Sequence, residues 1–228
     1  FYAESGGQVG DHGTLEQNRK KWNVVDVQKQ GDSIIHFCEE VNPEAKNASP
    51  DFTPDASPMT AVVNAEFRLS TTNNHTAAHL MHEGLKQVLG EHVNQAGSLV
   101  NPEILRFDFT HFEKVTERQL EEIENIVNSV IRDNIPTDIY ETPFQEALDS
   151  GITALFGEKY GDVVRVVKVS DFSEELCGGC HVKATGQIGQ FRIFSEEAIA
   201  SGVRRVVAVT GRQAELMSQE QGRVARSL

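Results

Sequence analysis

The spacing of apolar positions changes character along the chain. In the first 41 residues it is short and broken. Trp22–Val27 and Ser33–Cys38 read as strands, with Gly31-Asp32 as the turn between them. Ahead of them, residues 1–13 hold four glycines and read as a tight irregular segment. Residues 42–58 carry four prolines among Asn, Asp and Ser, a surface loop or crossing, and Thr60–Phe67 is a further candidate strand. From Arg68 helices mix with strands. His75–Leu89 reads as a helix, with Asn73 or Asn74 as its cap and Gly90 as its stop. Leu105, Phe107 and Phe109 alternate with Arg106 and Asp108, the pattern of a half-buried strand. Thr116–Gln119 is a capping box opening a helix whose apolar stripe is Leu120, Ile123, Val127, Val130 and Ile131. Thr142–Gln145 reads as a second box, with a short helix ending at Gly151. Strands follow at Val163–Val169, Gln190–Phe194 and Val203–Val209, then a polar, helix-compatible tail from Gly211. The fold class expected is α+β. A β-barrel-like subdomain over 1–66 packs on a mixed α/β subdomain over 67–210, and 211–228 begins a linker helix.

Charge and cysteines narrow the chemistry. A net charge of -13 argues against strong nonspecific binding to nucleic acid, which depends on phosphate neutralisation by Lys and Arg. Arg19-Lys20-Lys21 and Arg204-Arg205 are the basic spots left. The three cysteines, Cys38, Cys177 and Cys180, do not form a disulfide framework; they fit a reducing compartment and metal or redox chemistry. No apolar run approaches the roughly 20 residues of a membrane span, and no secretory leader opens the chain. The sequence starts at Phe1 inside a motif, so it reads as a fragment.

His75 and His79 stand four apart on the expected helix, which stacks both imidazoles on one face. Far downstream, Cys177-Gly178-Gly179-Cys180-His181 supplies thiols and another imidazole, with glycines that let the backbone turn sharply. Nitrogen and sulfur donors select zinc over magnesium or calcium. Thr76, not Glu, follows the first histidine, so the pair lacks the base of a zinc protease. Any one of these residues alone reads as well as a packing group; two compact motifs together outweigh that reading. His82 reads as a neighbour of the site or a helix-packing group, while His12, His36, His92 and His111 read as ordinary surface or hydrogen-bonding histidines.

These residues resemble the editing domain of alanyl-tRNA synthetases, shared by free-standing AlaX editing proteins. The similar stretches are 1–13 (FYAESGGQVGDHG), 73–100, 105–109, 154–167, 171–182 (DFSEELCGGCHV), 185–191 and 199–211. The resemblance implies that His75, His79, Cys177 and His181 hold Zn2+. It implies that Thr76 helps recognise a serine hydroxyl beside the metal, and that Gln95, in VNQAGS, is a pocket residue of the editing reaction. It also implies hydrolysis of Ser-tRNA(Ala) and Gly-tRNA(Ala) in the cytoplasm, within a parent chain that ligates alanine to tRNA(Ala) using ATP. The partners are then the tRNA acceptor end and the rest of that synthetase, with no membrane. The class II aminoacylation motifs are not visible and are expected upstream. One departure stands out: the family reads CGGTH where this chain has Cys180. Three rival readings are a zinc-stabilised tRNA-binding module without hydrolysis, an AlaX-type protein, and the related editing domain of a threonyl-tRNA synthetase.

Overall fold

A computed structural model of the chain describes residues 1–41, 57–154 and 160–227. Most of the proline-rich 42–58 segment, and residues 155–159 of the 154–167 stretch, lie outside the described residues. The chain divides into two compact units: Phe1–Ser5 with Val9–Arg68, and Gly6–Gln8 with Leu69–Leu228.

The first unit is an antiparallel sheet of β1 (Gly13–Gln17), β2 (Lys20–Gln30), β3 (Ser33–Glu40) and β4 (Thr60–Val63), ordered β3-β2-β1-β4. Asn18 and Arg19, both at positive φ, make the two-residue turn from β1 to β2. Without a glycine there, that hairpin gives no signal in the sequence. Trp22, Val24 and Val27 of β2 are buried. Asp11 accepts the Tyr2 N–H at 2.5 Å and pairs with the Arg68 guanidinium. The barrel-like expectation is corrected: among the described residues the sheet is open, with β3 and β4 as its edges. Four strands are about half the number that closes even a small side-chain-filled barrel.

The second unit takes most of α1 (Ala65–Leu89), then β5 (Gln95–Val100), β6 (Leu105–Thr110), α2 (Glu117–Arg132), β7 (Asp138–Pro143), α3 (Phe144–Asp149), β8 (Val163–Val169) and β9 (Ser173–Leu176). A 3-10 turn (Thr185–Ile188), β10 (Phe191–Ala200), β11 (Val203–Thr210) and α4 (Gly211–Ser227) complete it. One sheet runs β10-β11-β6-β5 and a second β7-β8-β9, all pairs antiparallel. The main core joins Leu80, Met81 and Leu85 of α1 to Ile123 and Val127 of α2 and to Phe107, Phe109, Val206 and Phe191 of the sheet. A satellite core of Ala147, Ile152, Val164, Val166 and Leu176 sits under α3.

Helix α1 begins ten residues before the sequence suggests, and β4 stops at Val63 instead of reaching Phe67. Asn64 supplies the cap, its Oδ1 accepting the Phe67 N–H at 3.1 Å. The run Leu69–Asn74 hides this helix because Ser, Thr and Asn are poor helix formers. Moreover, every residue from Thr71 to His82 is buried, so no amphipathic stripe marks a face. At Thr116 the capping box forms as read. At Thr142 it does not: Thr142 is held extended in β7 against Val164, and α3 starts after Pro143 with no side-chain cap. Strands β5, β7 and β9 were not legible. Asp108, expected on the polar side of β6, is buried and takes a two-pronged bond from Arg205 at 2.7 and 2.9 Å. Arg204 pairs with Glu196, so the Arg204-Arg205 spot is neutralised and offers no basic patch. No helix among the described residues is long and apolar enough to cross a membrane.

Helix α2 also covers the edge of β10. Asn128 Nδ2 donates to the Phe191 carbonyl at 2.9 Å, and Asn128 Oδ1 accepts the Phe191 N–H at 3.0 Å. Glu124 Oε1 takes the Ile193 N–H at 2.6 Å. These side chains replace the strand that an edge lacks. Asn128→Ala strips two bonds from one residue of β10, and is expected to lower unfolding stability by about 1–3 kcal/mol. A urea transition should show a lower midpoint with an unchanged slope.

Candidate metal centre

Four side chains from two distant stretches converge. The donor atoms of His75, His79, Cys177 and His181 all lie within 4.8 Å of one another, and the three imidazole centroids are 4.4–5.4 Å apart. His75 and His79 project from α1. Cys177 and His181 come from the turn after β9, which Arg165 of β8 clamps by donating to the Cys177 and Gly179 carbonyls at 2.7 and 2.8 Å. Gly179 is obligatory here: a Cβ would lie 2.0 Å from His75 Cε1 and 2.9 Å from Gln8 Oε1.

What each ring does follows from its Nδ1. Gln8 is fully buried, and its Oε1 accepts both the Cys180 N–H at 2.8 Å and His75 Nδ1 at 2.7 Å. The backbone donor fixes that amide's orientation, so His75 Nδ1 carries the hydrogen and Nε2 turns a lone pair to Cys177 Sγ, 3.4 Å away. The Thr76 hydroxyl, 0% exposed, donates to the Thr72 carbonyl at 3.1 Å and accepts the Val182 N–H at 3.1 Å. Its remaining lone pair meets His181 Nδ1 at 3.1 Å, which leaves His181 Nε2 facing Cys177 Sγ at 3.2 Å. His79 Nδ1 faces the Glu175 carboxylate at 3.8 Å.

Two imidazole lone pairs directed at one sulfur repel unless a cation sits between them, and this is the test of fit for a metal. A tetrahedral zinc with bonds of about 2.0–2.3 Å holds its donors about 3.3–3.7 Å apart, close to the two sulfur–nitrogen distances here. The four residues can hold a metal ion; Gln8 and Glu175 match the carbonyl and carboxylate supports that metal-bound histidines need, and the Thr76 hydroxyl accepts from His181. The charge states agree. Burial works against the Cys177 thiolate, but the surrounding histidines, His75 and His79 first, outweigh it and hold its pKa well below the ordinary thiol range. Burial and the neighbouring His75 and His79 hold His181 down to about 3. Burial also opposes a charged His79, yet Glu175 and then Cys177 push it up to about 9. Burial raises the Glu175 carboxyl, and His79 and His82 outweigh it, leaving it below the usual range.

The sequence expectations for Thr76 and Gln95 separate here. Thr76 lies beneath the cluster with its hydroxyl fully engaged. Gln95 is the first residue of β5, not a loop residue, and its Nε2 reaches Ser98 Oγ only at 3.4 Å. It lines a cleft of about 430 Å³ together with His82, Asn94, Ala96, Thr110 and Thr153. His82 is buried and donates from Nδ1 to Glu175 Oε1 at 3.1 Å. Cys180 stands outside the four-residue group and contributes its backbone N–H to Gln8. Sequence reasoning missed Gln8, Arg165 and Glu175. Gln8 lies in the Gly-rich opening segment, where only backbone flexibility was legible. It reaches the cluster because Gly6–Gln8 runs beside the end of β5, with Val100 N–H donating to Gly7 O at 2.7 Å. The other histidines find partners as read: His92 Nε2 lies 2.9 Å from His111 Nδ1, His12 stacks on Phe67, and His36 meets Phe1 edge-on.

A helix-borne His pair meets a Cys–His turn beside a three-stranded antiparallel sheet. Residues 164–207 match the threonyl and alanyl tRNA synthetase second additional domain, and residues 1–49 match the class II (A) tRNA synthetases, in a segment where no class II motif was legible. The chain is 51% identical over 97% of its length to the alanine–tRNA ligase of Cytophaga hutchinsonii, and 50% over 92% to that of Caldicellulosiruptor saccharolyticus. Against the Nitrosococcus oceani enzyme it is 47% identical over 98%. The chain belongs to the alanyl-tRNA synthetase family. It spans 23–25% of the length of these relatives.

Because metal ligands must be deprotonated, His79 is the ligand that has to release a proton. Its raised pKa means that affinity for a divalent metal falls as pH drops below about 9. This one group should contribute about a tenfold change per pH unit from neutrality up to there, then level off. Chelator competition across pH, together with proton release measured by calorimetry in buffers of different ionisation heat, checks this.

Proposed function

We propose that this segment is the hydrolytic editing domain of its parent synthetase, cleaving the ester of Ser-tRNA(Ala) and Gly-tRNA(Ala) at a zinc site. The observation that carries the reading is the convergence of three imidazoles on the Cys177 sulfur, inside a chain similar to alanine–tRNA ligases along nearly all its length. A His3Cys donor set suits zinc, and a reducing cytoplasm keeps Cys177 free for it. The need for editing is physical. A pocket shaped for alanine rejects an added hydroxyl by only about 100-fold, and one methylene is worth roughly 1–3 kcal/mol. A second, hydrolytic site removes what the first admits. The rest of the parent chain would attach alanine to tRNA(Ala) with ATP and bring the charged acceptor end here. With a net charge of -13, the segment itself supplies little attraction for phosphate.

His75, His79, Cys177 and His181 would hold the zinc, and bound zinc supplies Lewis acidity next to the ester. Gln8, Glu175 and Thr76 fix the rings, while Gln95 lines the cleft where the aminoacyl end is accommodated. The enclosed hydroxyl of Thr76 supports a positioning role through His181 in place of direct contact with serine. One observation favours a second reading, a catalytically silent zinc-stabilised tRNA-binding module: four protein donors fill a tetrahedron, as in structural zinc sites.

Protein purified without added metal should carry about one zinc per chain and deacylate Ser-tRNA(Ala) and Gly-tRNA(Ala) but not Ala-tRNA(Ala). Cys177→Ala should lose both zinc and activity. Full zinc occupancy without deacylation would leave only the binding module. Thr76→Val keeps the shape and removes the His181 contact, so zinc affinity should fall by about 10–100-fold while the serine-to-alanine rate ratio holds. A collapse of that ratio at full zinc loading would return serine recognition to Thr76.

A further inference from the structure

Gln8 is 0% exposed, and its Nε2 has no hydrogen-bond partner among the described residues. A buried donor left unpaired is destabilising, and an apolar side chain of the same length would fill the space without it. What the position needs is therefore the other end of the amide. Gln8 Oε1 accepts the Cys180 N–H at 2.8 Å and lies 2.7 Å from His75 Nδ1. A backbone N–H can only donate, so the place of the oxygen depends on no titrating group. An acceptor beside Nδ1 keeps a hydrogen there whether the ring is neutral or charged, and leaves Nε2 as the atom that can bind a metal.

The segment that carries Gln8 is fixed without help from the ligands. Gly6–Gln8 folds with the second unit, while the residues on either side fold with the first. Val100 N–H donates to Gly7 O at 2.7 Å, and Gln8 pairs with Val100 as an isolated parallel bridge. Gly7 stands at φ +82°, and a Cβ there would lie 2.8 Å from the Ser98 carbonyl oxygen and closer still to its hydroxyl. Only glycine lets the segment lie this near β5.

We propose that Gln8 is the positioning residue that couples the two ligand pairs of the metal centre, its one carbonyl oxygen both setting the His75 ring on α1 and closing the Cys177–His181 turn. The Gly-rich opening segment is then a working part of the site and not only a backbone turn. Neither bond uses Nε2 of His75 or the sulfur of Cys177, so both can form before a metal arrives, and the donors then need less ordering to bind it. The inference rests on the zinc reading above and is independent of hydrolysis.

Two substitutions separate the oxygen from the bulk. Gln8→Met keeps the length and removes the acceptor, whereas Gln8→Glu keeps an oxygen that can take both bonds. The probe is Zn2+ alone, titrated in competition with a chromophoric chelator. Hydrogen exchange of the Cys180 amide is followed in the metal-free protein. Wild type should hold that amide at least about tenfold below its free exchange rate before zinc is added. Gln8→Met should release the protection and bind zinc about 10–100-fold more weakly while still unfolding cooperatively, and Gln8→Glu should restore both. A Gln8→Met variant with wild-type zinc affinity, or Met and Glu variants weakened alike, would overturn the proposal and leave the zinc site standing. If Gln8→Met does not fold, the wild-type amide decides, since free exchange of Cys180 in the metal-free protein overturns the proposal. A wild type that binds no zinc, with the Cys180 amide protected and then released in Gln8→Met, would sink the zinc reading while the hold of Gln8 on the turn stands.

Discussion

The imidazoles that meet Cys177 each have a different neighbour behind them: Gln8 and Thr76 hydrogen-bond His75 and His181, and the Glu175 carboxylate faces His79 at 3.8 Å. This outer ring of supports is the constraint on which the second unit depends. It settles which nitrogen of His75 and His181 carries hydrogen and points their free lone pairs at one sulfur. The supports come from three places in the chain: Gln8 from the segment beside β5, Thr76 from the helix α1 and Glu175 from β9. A shift of any one element therefore disturbs the donor set, because an imidazole free to rotate no longer presents the same atom.

Burying this much polarity has a cost that the structure offsets locally. From Thr71 to His82 the helix α1 is enclosed on every side, although eight of these twelve residues are polar. Asn74 bridges the Asn101 carbonyl and the Thr210 hydroxyl, Thr76 uses its hydroxyl three times, and Asp108 is matched by Arg205. A buried polar group left unpaired costs about 1–3 kcal/mol, so these bonds select one register for the helix. The same matching consumes cations that the sequence offered as contact points for phosphate, since Arg204 and Arg205 both face carboxylates.

Glu175 joins the two halves of the proposed chemistry. One oxygen faces the metal cluster through His79 and the other orders His82 at the edge of the cleft. None of the four ligands is among the cleft's described walls, and Glu175 meets both His79 of the cluster and His82 of the cleft.

The sequence by itself determined the parts governed by short-range rules. The capping box at Thr116, the stripe of α2, the strands at Val163 and Val203, and the His-x-x-x-His and Cys-x-x-x-His spacings all depend on residues within a turn or two of one another. Tertiary structure alone decided the rest. It extended α1 through Ser, Thr and Asn because burial on all sides overrides propensity. It kept Thr142 in a strand because Val164 pairs with it, and left the first sheet open, with four strands among the described residues. It also brought Gln8 and Glu175, 167 residues apart in sequence numbering (175 − 8), to opposite sides of the same cluster. No local pattern announces a glutamine in a Gly-rich segment or a glutamate in a strand as the support of a histidine. Hydrogen bonds between such distant groups exist only once the sheets and helix have fixed their separation.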